Sequence, residues 1–265
     1  MKKIFFFDVD GTIVDSGRQM HYVSDKTKYA IKELSKDNYV FISSGRCKCM
    51  LDKQILDLNA NGFVLCNGAY AEINGKEIFS KSFSKDDISR IKKTALDNNG
   101  FYCLEANDKV YVDSLKNRIL NSFISRWEID LSFMAEDDHK ERDYFIAMIG
   151  FENQDGLSES YMALRDYAGL DRHHWFTSYD VNIKGINKGY GCKKVMEYLN
   201  IPVENSYAFG DGLNDLQMLE AVGHPVVMAN CMKELKNRGF EDTDDVLDDG
   251  VYEYLVKNHL IKAIE

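Results

Sequence analysis

Two aspartates separated by a single residue, Asp8 and Asp10, directly follow a short apolar run at residues 4–7. Carboxylates at this spacing are suited to holding a metal ion, but without one they are costly. Two unit charges about 4 Å apart repel by about 4 kcal/mol at an effective dielectric constant near 20. The pair therefore predicts that a cation lies beside the two carboxylates.

Two further turns, both containing glycine and polar residues, follow predicted strands. They are SGR at 44–46, after a predicted strand at 39–43, and GDGLND at 210–215, after a predicted strand at 206–209. In an open parallel sheet, ligands bind at the carboxyl ends of the strands. A parallel sheet that also includes residues 3–7 would bring all three turns to one edge. We therefore expect Asp211 and Asp215 to lie close to the first two aspartates.

Four neighbouring carboxylates favour a hard divalent cation. Mg²⁺ suits this group because it takes oxygen ligands, keeps several waters and is usually held by one or two carboxylates plus substrate phosphate. A calcium loop of the EF-hand type is excluded, since Ile13 and Gln19 stand where that loop needs glycine and glutamate. The sequence also contains neither a P-loop nor an HExxH motif. It therefore predicts Mg²⁺ as the cofactor.

An alternation of strands and helices would position these turns. Before residue 83, strands are predicted at 3–7, 39–43 and 63–67, helices at 25–36 and around 51–58, and a hairpin turning at 74–75. After residue 185, helices are predicted around 192–199 and at 213–221, 232–238 and 249–258, with strands at 206–210 and 225–229. This order predicts one parallel sheet with helices on its faces.

The pattern differs between these two stretches. Helices are predicted at 85–98, 115–127 and 157–167, and strands at 100–105, 109–112, 144–151 and 180–184. Paired strands with helices between them indicate an α+β unit with an antiparallel sheet. The predicted fold class is α/β, with a Rossmann-like parallel-sheet core at 1–82 and 186–265 and an inserted α+β domain at 83–185.

Composition narrows the classes of partner. The net charge of −10 and the pI near 5.2 argue against a nucleic-acid or anionic-membrane binder, since such proteins usually have a basic surface. An apolar run of about 20 residues, as a membrane helix needs, is absent. The apolar run near the start is too short for a signal peptide and ends in acid. We expect a cytoplasmic protein whose six scattered cysteines are reduced thiols.

Four sequence motifs resemble those of the haloacid dehalogenase superfamily of phosphohydrolases. They are DVDGT (8–12), SGR (44–46), Lys188 in INKGYGCKKVMEYLNI, and GDGLND (210–215). The stretches CNGA (66–69), DLQMLEAVGHPVVMAN (215–230) and DDGVYEYL (248–255) are similar to the Cof-type subgroup. That subgroup inserts an α+β cap, called C2B, after the third core strand. The resemblance thus implies that residues 83–185 form this cap.

The resemblance also implies roles for the aspartates. Asp8 would be the nucleophile, forming an aspartyl-phosphate, and a carboxylate is chemically able to do so. Asp10 would be the general acid for the leaving alcohol and then the base for water. The metal ligands would be Asp8, the backbone carbonyl of Asp10, and Asp211.

Five other residues would bind or position the phosphoryl group. The Ser44 hydroxyl and the Gly45 amide would hold its oxygens, and Lys188 would neutralise charge between the nucleophile and the phosphate. Asn214 is expected to hydrogen-bond near the phosphate. Asp215 is expected to orient either Lys188 or a metal-bound water.

These expectations describe a Mg²⁺-dependent phosphatase acting on small phosphorylated metabolites. Sugar phosphates or phosphorylated cofactors, such as pyridoxal phosphate or flavin mononucleotide, are the expected substrates. One alternative is a phosphomutase of the phosphomannomutase type, and another is a non-catalytic phospholigand sensor on the same fold. The sequence carries no signal for an oligomeric state.

Overall fold

The computed structural model describes residues 2–127, 130–173 and 176–264. The chain divides into two compact units. The core unit comprises Met1–Gly45, Leu51–Phe79 and Asn187–Glu265, and the inserted unit comprises Arg46–Met50 and Ser80–Ile186. Sequence analysis did not anticipate that Arg46–Met50 groups with the inserted unit. The domain limits at 83 and 185 stay a prediction of where a functional cap begins and ends.

The elements in the described residues are as follows. The strands are β1 (Ile4–Phe7), β2 (Tyr39–Ser43), β3 (Gly62–Leu65), β4 (Tyr70–Ile73), β5 (Lys76–Ser80), β6 (Phe101–Glu105), β7 (Val110–Val112), β8 (Met134–Glu136), β9 (Ile146–Gly150), β10 (Ala168–Arg172), β11 (Ser178–Ile183), β12 (Ser206–Gly210), β13 (His224–Val227) and β14 (Glu241–Asp242). The α-helices are α1 (Asp25–Asp37), α2 (Lys53–Leu56), α3 (Lys85–Asp97), α4 (Arg118–Trp127), α5 (Gln154–Leu164), α6 (Lys188–Leu199), α7 (Leu216–Leu219), α8 (Lys233–Lys236) and α9 (Gly250–Lys257).

The centre of the core unit is a sheet whose described strands run in the order β14-β13-β12-β1-β2-β3-β4-β5. Strands β14 to β3 are parallel, and β4 pairs antiparallel with β3. Strand β1 lies inside this sheet and is buried along its whole length. Its uninterrupted apolar sequence follows from that position, because strands of a parallel sheet are covered on both faces. Phe7 stacks on Phe209 of β12 with ring centroids 4.9 Å apart. The predicted parallel sheet is confirmed.

Side-chain caps set the starts of two core helices. The Ser24 side chain accepts a hydrogen bond from the Thr27 N–H, and α1 begins between them. The Asn187 side chain accepts from the Tyr190 N–H at 3.0 Å, so α6 begins at Lys188. Across the described ranges, the helices are too short or too polar to span a bilayer.

A second sheet, in the inserted unit, has the strand order β10-β11-β9-β6-β7-β8. Among its described strands, the pairs are antiparallel apart from β7 and β8, which are parallel. Helices α3 and α5 cover one face, where Ile91 and Leu157 pack with Leu104, Ile149 and Val181. This arrangement is the α+β unit that the sequence predicts.

The structure corrects several predicted elements. The helix predicted at 213–221 is a 3-10 turn, Leu213–Asp215, followed by the single turn of α7. The helix predicted at 232–238 is shortened to α8. Strands β8, β10 and β14 were not predicted, and each lies at an edge of its sheet. Edge strands are half exposed and need no apolar run, so they leave a weak sequence pattern.

Candidate active site

The three predicted turns leave the core sheet at the same edge. Strand β1 lies between β2 and β12 and pairs with both in parallel register. Asp8 follows β1 directly, and its N–H donates to the Phe209 carbonyl of β12 at 3.0 Å. The side chain of Asp8 is buried, with 6% of the residue exposed. The sheet therefore brings an acidic residue into a desolvated position at its ligand-binding edge.

Lys188 connects two of the predicted aspartates. Its Nζ lies 2.5 Å from Asp8 Oδ1 and 2.6 Å from Asp215 Oδ1. The lysine is fully buried at the start of α6. Burial alone would lower its pKa, but the two carboxylates outweigh burial and raise the pKa above its usual value. Lys188 is therefore a permanent cation inside the cluster.

Both carboxylate oxygens of Asp215 accept hydrogen bonds within the protein. Oδ1 accepts from Lys188, and Oδ2 accepts from the N–H groups of Asp211 and Gly212, each at 3.0 Å. The residue has no exposed surface. Asp215 therefore binds the lysine and closes the 210–215 turn at the same time. This contact supports the first of the two roles that the sequence left open.

Gly11 makes room for Asp211. The Gly11 backbone has a φ of +86°, and a Cβ there would lie 2.2 Å from Asp211 Oδ2. Only glycine combines this backbone conformation with so close an approach. The Thr12 hydroxyl also points at Asp211 Oδ1, at 3.5 Å. The glycine and threonine of DVDGT thus pack directly on Asp211, the first of the two aspartates of GDGLND.

When Asp8, Asp211 and Asp215 are all ionised, the cluster carries more negative charge than Lys188 compensates. Burial and Asp215 raise the pKa of Asp8 to about 7, in spite of Lys188. Burial and Asp8 raise the pKa of Asp211 to about 9. Asp10 is exposed, yet it adds to both shifts and is therefore close to both groups. The ionised site would be stabilised by a further cation.

The donor atoms fit a hard divalent cation. Carboxylate oxygens of Asp8, Asp211 and Asp215 lie within 4.8 Å of one another. Asp215 is the weakest candidate ligand, because Lys188 and two backbone N–H groups already occupy its oxygens. Asp8 and Asp211 supply the oxygen donors that such cations prefer. The raised pKa values and the oxygen donors therefore both point to Asp8 and Asp211 as the candidate ligands.

The SGR turn is fixed against the segment that follows β3. The Ser44 N–H donates to the Val64 carbonyl at 2.8 Å, and the Ser44 carbonyl accepts from the Asn67 N–H at 3.2 Å. A Cβ on Gly45 would lie 3.0 Å from Asn67 Oδ1. Asn67 has left-handed backbone angles, which asparagine tolerates better than most residues. It therefore supports the turn that was predicted to hold phosphate.

Two asparagines, Asn214 and Asn230, lie in the turns beside the buried cluster. Asn214 is exposed, and its Oδ1 would touch a Cβ on Gly212 at 2.6 Å. Its predicted contact with phosphate stays a prediction. The sequence analysis did not identify Asn230 as a site residue, although it lies three residues beyond the carboxyl end of β13, which is parallel to β12. Its Nδ2 donates to the Gly11 carbonyl at 2.7 Å, and its Oδ1 accepts from the Val246 N–H at 3.0 Å.

A family model described as haloacid dehalogenase-like hydrolase matches residues 5–255. The chain belongs to the haloacid dehalogenase-like hydrolases. A putative phosphatase of Bacillus subtilis, YkrA, is 29% identical over 256 residues, which are 96% of each chain. The 5-amino-6-(5-phospho-D-ribitylamino)uracil phosphatase YcsE of the same organism is 27% identical over 94% of this chain and 92% of its own.

A solved structure of this family has a similar fold. BT1666 of Bacteroides thetaiotaomicron, described among phosphatases of the HAD superfamily, superposes with a TM-score of 0.85 at 25% identity. The match covers 98% of this chain and 96% of that one. The expected fold class is confirmed, as is the expected enzyme class: this haloacid dehalogenase-like hydrolase is a phosphatase.

Proposed function

We propose that the protein is a Mg²⁺-dependent phosphatase that hydrolyses small phosphorylated metabolites through an aspartyl-phosphate on Asp8. The observation that carries this proposal is the buried contact of Lys188 with Asp8 and Asp215, beside Asp211. A lysine held at 2.5 Å from the nucleophile is placed to offset the charge of an incoming phosphoryl group. Phosphoryl transfer depends mainly on such positioning and charge stabilisation.

In the first step Asp8 attacks phosphorus. We assign the attack to Oδ2, because Oδ1 is held by Lys188. The bond from phosphorus to the substrate alcohol breaks, and Asp10 gives its proton to the leaving oxygen. Asp10 suits this work because it is exposed and therefore accessible to substrate.

In the second step water attacks the phosphorus of the aspartyl-phosphate. Asp10 takes the proton from this water, and the bond from phosphorus to Asp8 breaks. Inorganic phosphate leaves, and the original protonation states return. Asp8, the backbone carbonyl of Asp10, and Asp211 would hold Mg²⁺, which supplies positive charge against the phosphoryl oxygens.

Four residues are proposed to bind the phosphoryl group. The Ser44 hydroxyl, the Gly45 N–H and Lys188 would contact its oxygens, with Asn214 at the open side of the turn. The packing of Asn67 on Gly45 supports this assignment, because it holds the SGR turn in one conformation. Asp215 would act only through Lys188.

The proposed substrate class is small phosphorylated sugars or phosphorylated cofactors. YcsE supports this class, since its named substrate is a phosphorylated ribityl compound. We propose that residues 83–185 act as the cap that selects among such compounds. We also propose a cytoplasmic location, because the six cysteines of the described chain are thiols outside any disulfide, and thiols persist in reducing compartments.

The test is phosphate release by the purified protein from a panel of phosphorylated metabolites. Release should require Mg²⁺, stop with EDTA, and fall by about 10³-fold or more in Asp8→Asn. Asp25→Asn is the matched control, because Asp25 is an exposed aspartate on α1. Full activity in Asp8→Asn would overturn the proposed nucleophile.

Two measurements separate the alternatives. A phosphomutase would need a bisphosphate activator and would move phosphate within the substrate instead of releasing it. A sensor would bind phosphorylated compounds without forming a phosphoenzyme. Acid-quenched wild type should carry a phosphoryl group on the peptide that contains Asp8.

A further inference from the structure

A pair of cysteines follows the SGR turn and has no part in the proposed phosphatase chemistry. Cys47 Sγ and Cys49 Sγ lie 3.4 Å apart, and the two cysteines are not joined by a disulfide. The segment that carries them is turned back on itself, with the Met50 N–H donating to the Cys47 carbonyl at 3.1 Å. This turn, Lys48–Met50, is a 3-10 helix. Local backbone geometry therefore brings the two sulfurs together.

The two thiols differ in exposure and in surroundings. Cys47 is fully buried, whereas Cys49 is partly exposed. The hydrogen bond with Cys47 lowers the pKa of the Cys49 thiol, although burial and Asp108 oppose this shift. Cys49 also contacts the Ala106 carbonyl at 3.8 Å. Thiolate character and access decide which cysteine reacts first, so the structure makes Cys49 the reactive member.

A proton acceptor lies next to the buried member. Cys47 hydrogen-bonds to the carboxyl group of Glu105, at the end of β6. Burial and Asp180 raise the pKa of Glu105 to about 8. A carboxylate in this range is basic enough to take a proton from a neighbouring thiol. The attacking thiol, the resolving thiol and a base therefore occupy one cluster in the inserted unit.

We propose that Cys47 and Cys49 form a reversible disulfide when a peroxide oxidises the protein, and that this closure lowers phosphatase activity. The Cys49 thiol first gives up its proton, and the thiolate attacks one peroxide oxygen. The O–O bond breaks, a sulfenic acid forms, and the leaving oxygen takes up the proton that Cys49 released and departs as water. The Cys47 sulfur then attacks the Cys49 sulfur, displacing a second water, with Glu105 receiving the Cys47 proton and returning it to the leaving oxygen. In sum, two thiols are oxidised, one hydrogen peroxide is reduced, and two waters form.

Formation of the disulfide would affect the proposed phosphate-binding turn because the two are adjacent in sequence. A disulfide of about 2.05 Å would replace the 3.4 Å contact, so the two sulfurs must approach and the turn that holds them must change. Cys47 is two residues from Gly45 and three from Ser44. The effect on activity rests on the proposed function of these two residues, whereas formation of the disulfide does not.

The test compares reduced protein with protein treated with hydrogen peroxide. Intact mass spectrometry should show a loss of about 2 Da, for two hydrogens, and peptide mapping should place the link between Cys47 and Cys49. Phosphate release should fall by about fivefold or more and return with dithiothreitol. If the reduced protein releases no phosphate, the proposed function is refuted. The intact mass of the peroxide-treated protein still shows whether the disulfide forms.

Variants identify the two roles. Cys47→Ser should retain Cys49 sulfenic acid, which dimedone traps, whereas Cys49→Ser should show neither sulfenic acid at position 47 nor the mass loss. Cys103→Ser is the matched control, because Cys103 is a buried thiol in the same unit, and it should behave as wild type. Since the wild-type mass needs no variant, misfolding of a variant leaves the test intact. An unchanged wild-type mass, or a disulfide without loss of activity, would overturn the proposal.

Discussion

Replacement of Asp215 by alanine is expected to destabilise the core unit, even though this residue is not proposed to touch substrate. In the folded protein its carboxylate makes three polar contacts, one to Lys188 and two to backbone N–H groups. The variant leaves Asp8 as the carboxylate bound to the buried lysine. It also leaves the N–H groups of Asp211 and Gly212 without this acceptor.

The size of the effect follows from these contacts. Removing one partner of a buried ion pair costs about 3–5 kcal/mol. Lys188 keeps Asp8, and the two N–H groups are only partly buried, so the lower end of this range applies, about 3 kcal/mol. A domain of this size loses about 2–4 °C of melting temperature per kcal/mol, so the expected shift is about 6–12 °C.

Thermal unfolding followed by circular dichroism measures this shift. Asp25→Ala is the control, since the side chain of Asp25 is fully exposed and its ion pair within the described residues is with Lys28, at 3.4 Å. It should cost less than about 1 kcal/mol. Asp215→Asn keeps the shape and one acceptor oxygen, so it should melt between wild type and Asp215→Ala.

Catalysis provides a second measurement on the same variants. Asp215→Asn should lower kcat by about 10²-fold, because a misplaced Lys188 no longer stabilises the charge that develops on the phosphoryl group. The reasoning is refuted if Asp215→Ala melts within 1 °C or so of wild type, a shift worth less than about 0.5 kcal/mol. It is refuted equally if Asp215→Asn retains the wild-type kcat.

Three further outcomes are expected. Gly11→Ala forces a positive φ on alanine, and its Cβ would displace the Asp211 side chain. The variant should lose about 1–2 kcal/mol of stability, measured by calorimetry, and most of the Mg²⁺-dependent activity, measured by phosphate release. Mg²⁺ at about 100 times its Kd should stabilise wild type by about 2.7 kcal/mol but leave the melting temperature of Asp211→Asn nearly unchanged. Burial raises the pKa of Glu105 from 4.5 in the unfolded chain to about 8 in the folded protein. The stability that protonated Glu105 contributes to the fold is therefore complete below pH 4.5 and is lost as pH rises through 8. Urea titrations should therefore show that Glu105→Gln is more stable than wild type at pH 8.5, by up to about 5 kcal/mol, and no more stable at pH 5.

The candidate site was predictable to the extent that it lies at strand ends. Asp8 and Asp211 follow strands that are buried along their whole length, and a parallel sheet necessarily brings such positions to one edge. Lys188 was different, because a lysine at the start of a helix is usually solvated, and only the resemblance to a family singled it out. Asn230 could have been found by the strand-end signal, since it stands just beyond β13.

The fold follows the same division. Long buried strands and amphipathic helices such as α1 were predicted, because their apolar periodicity reports burial directly. The edge strand β10, with the sequence AGLDR, was not predicted, because its residues are half-buried or exposed and show no alternation. The turn at Leu213–Asp215 was predicted as helix, because apolar spacing does not distinguish one 3-10 turn from a longer helix.

By itself, the sequence determined which chemical groups this protein carries and that its sheet collects them, since apolar runs and the turns that end them are local properties. Tertiary structure alone decided which atoms each group contacts within the cluster. The contact of Lys188 with Asp8 joins residues 180 positions apart, and the closeness of the Cys47 and Cys49 sulfurs depends on how one turn folds. Distances of this kind depend on packing across the whole chain, and burial at these positions then raises the pKa of Asp8 and of Asp211.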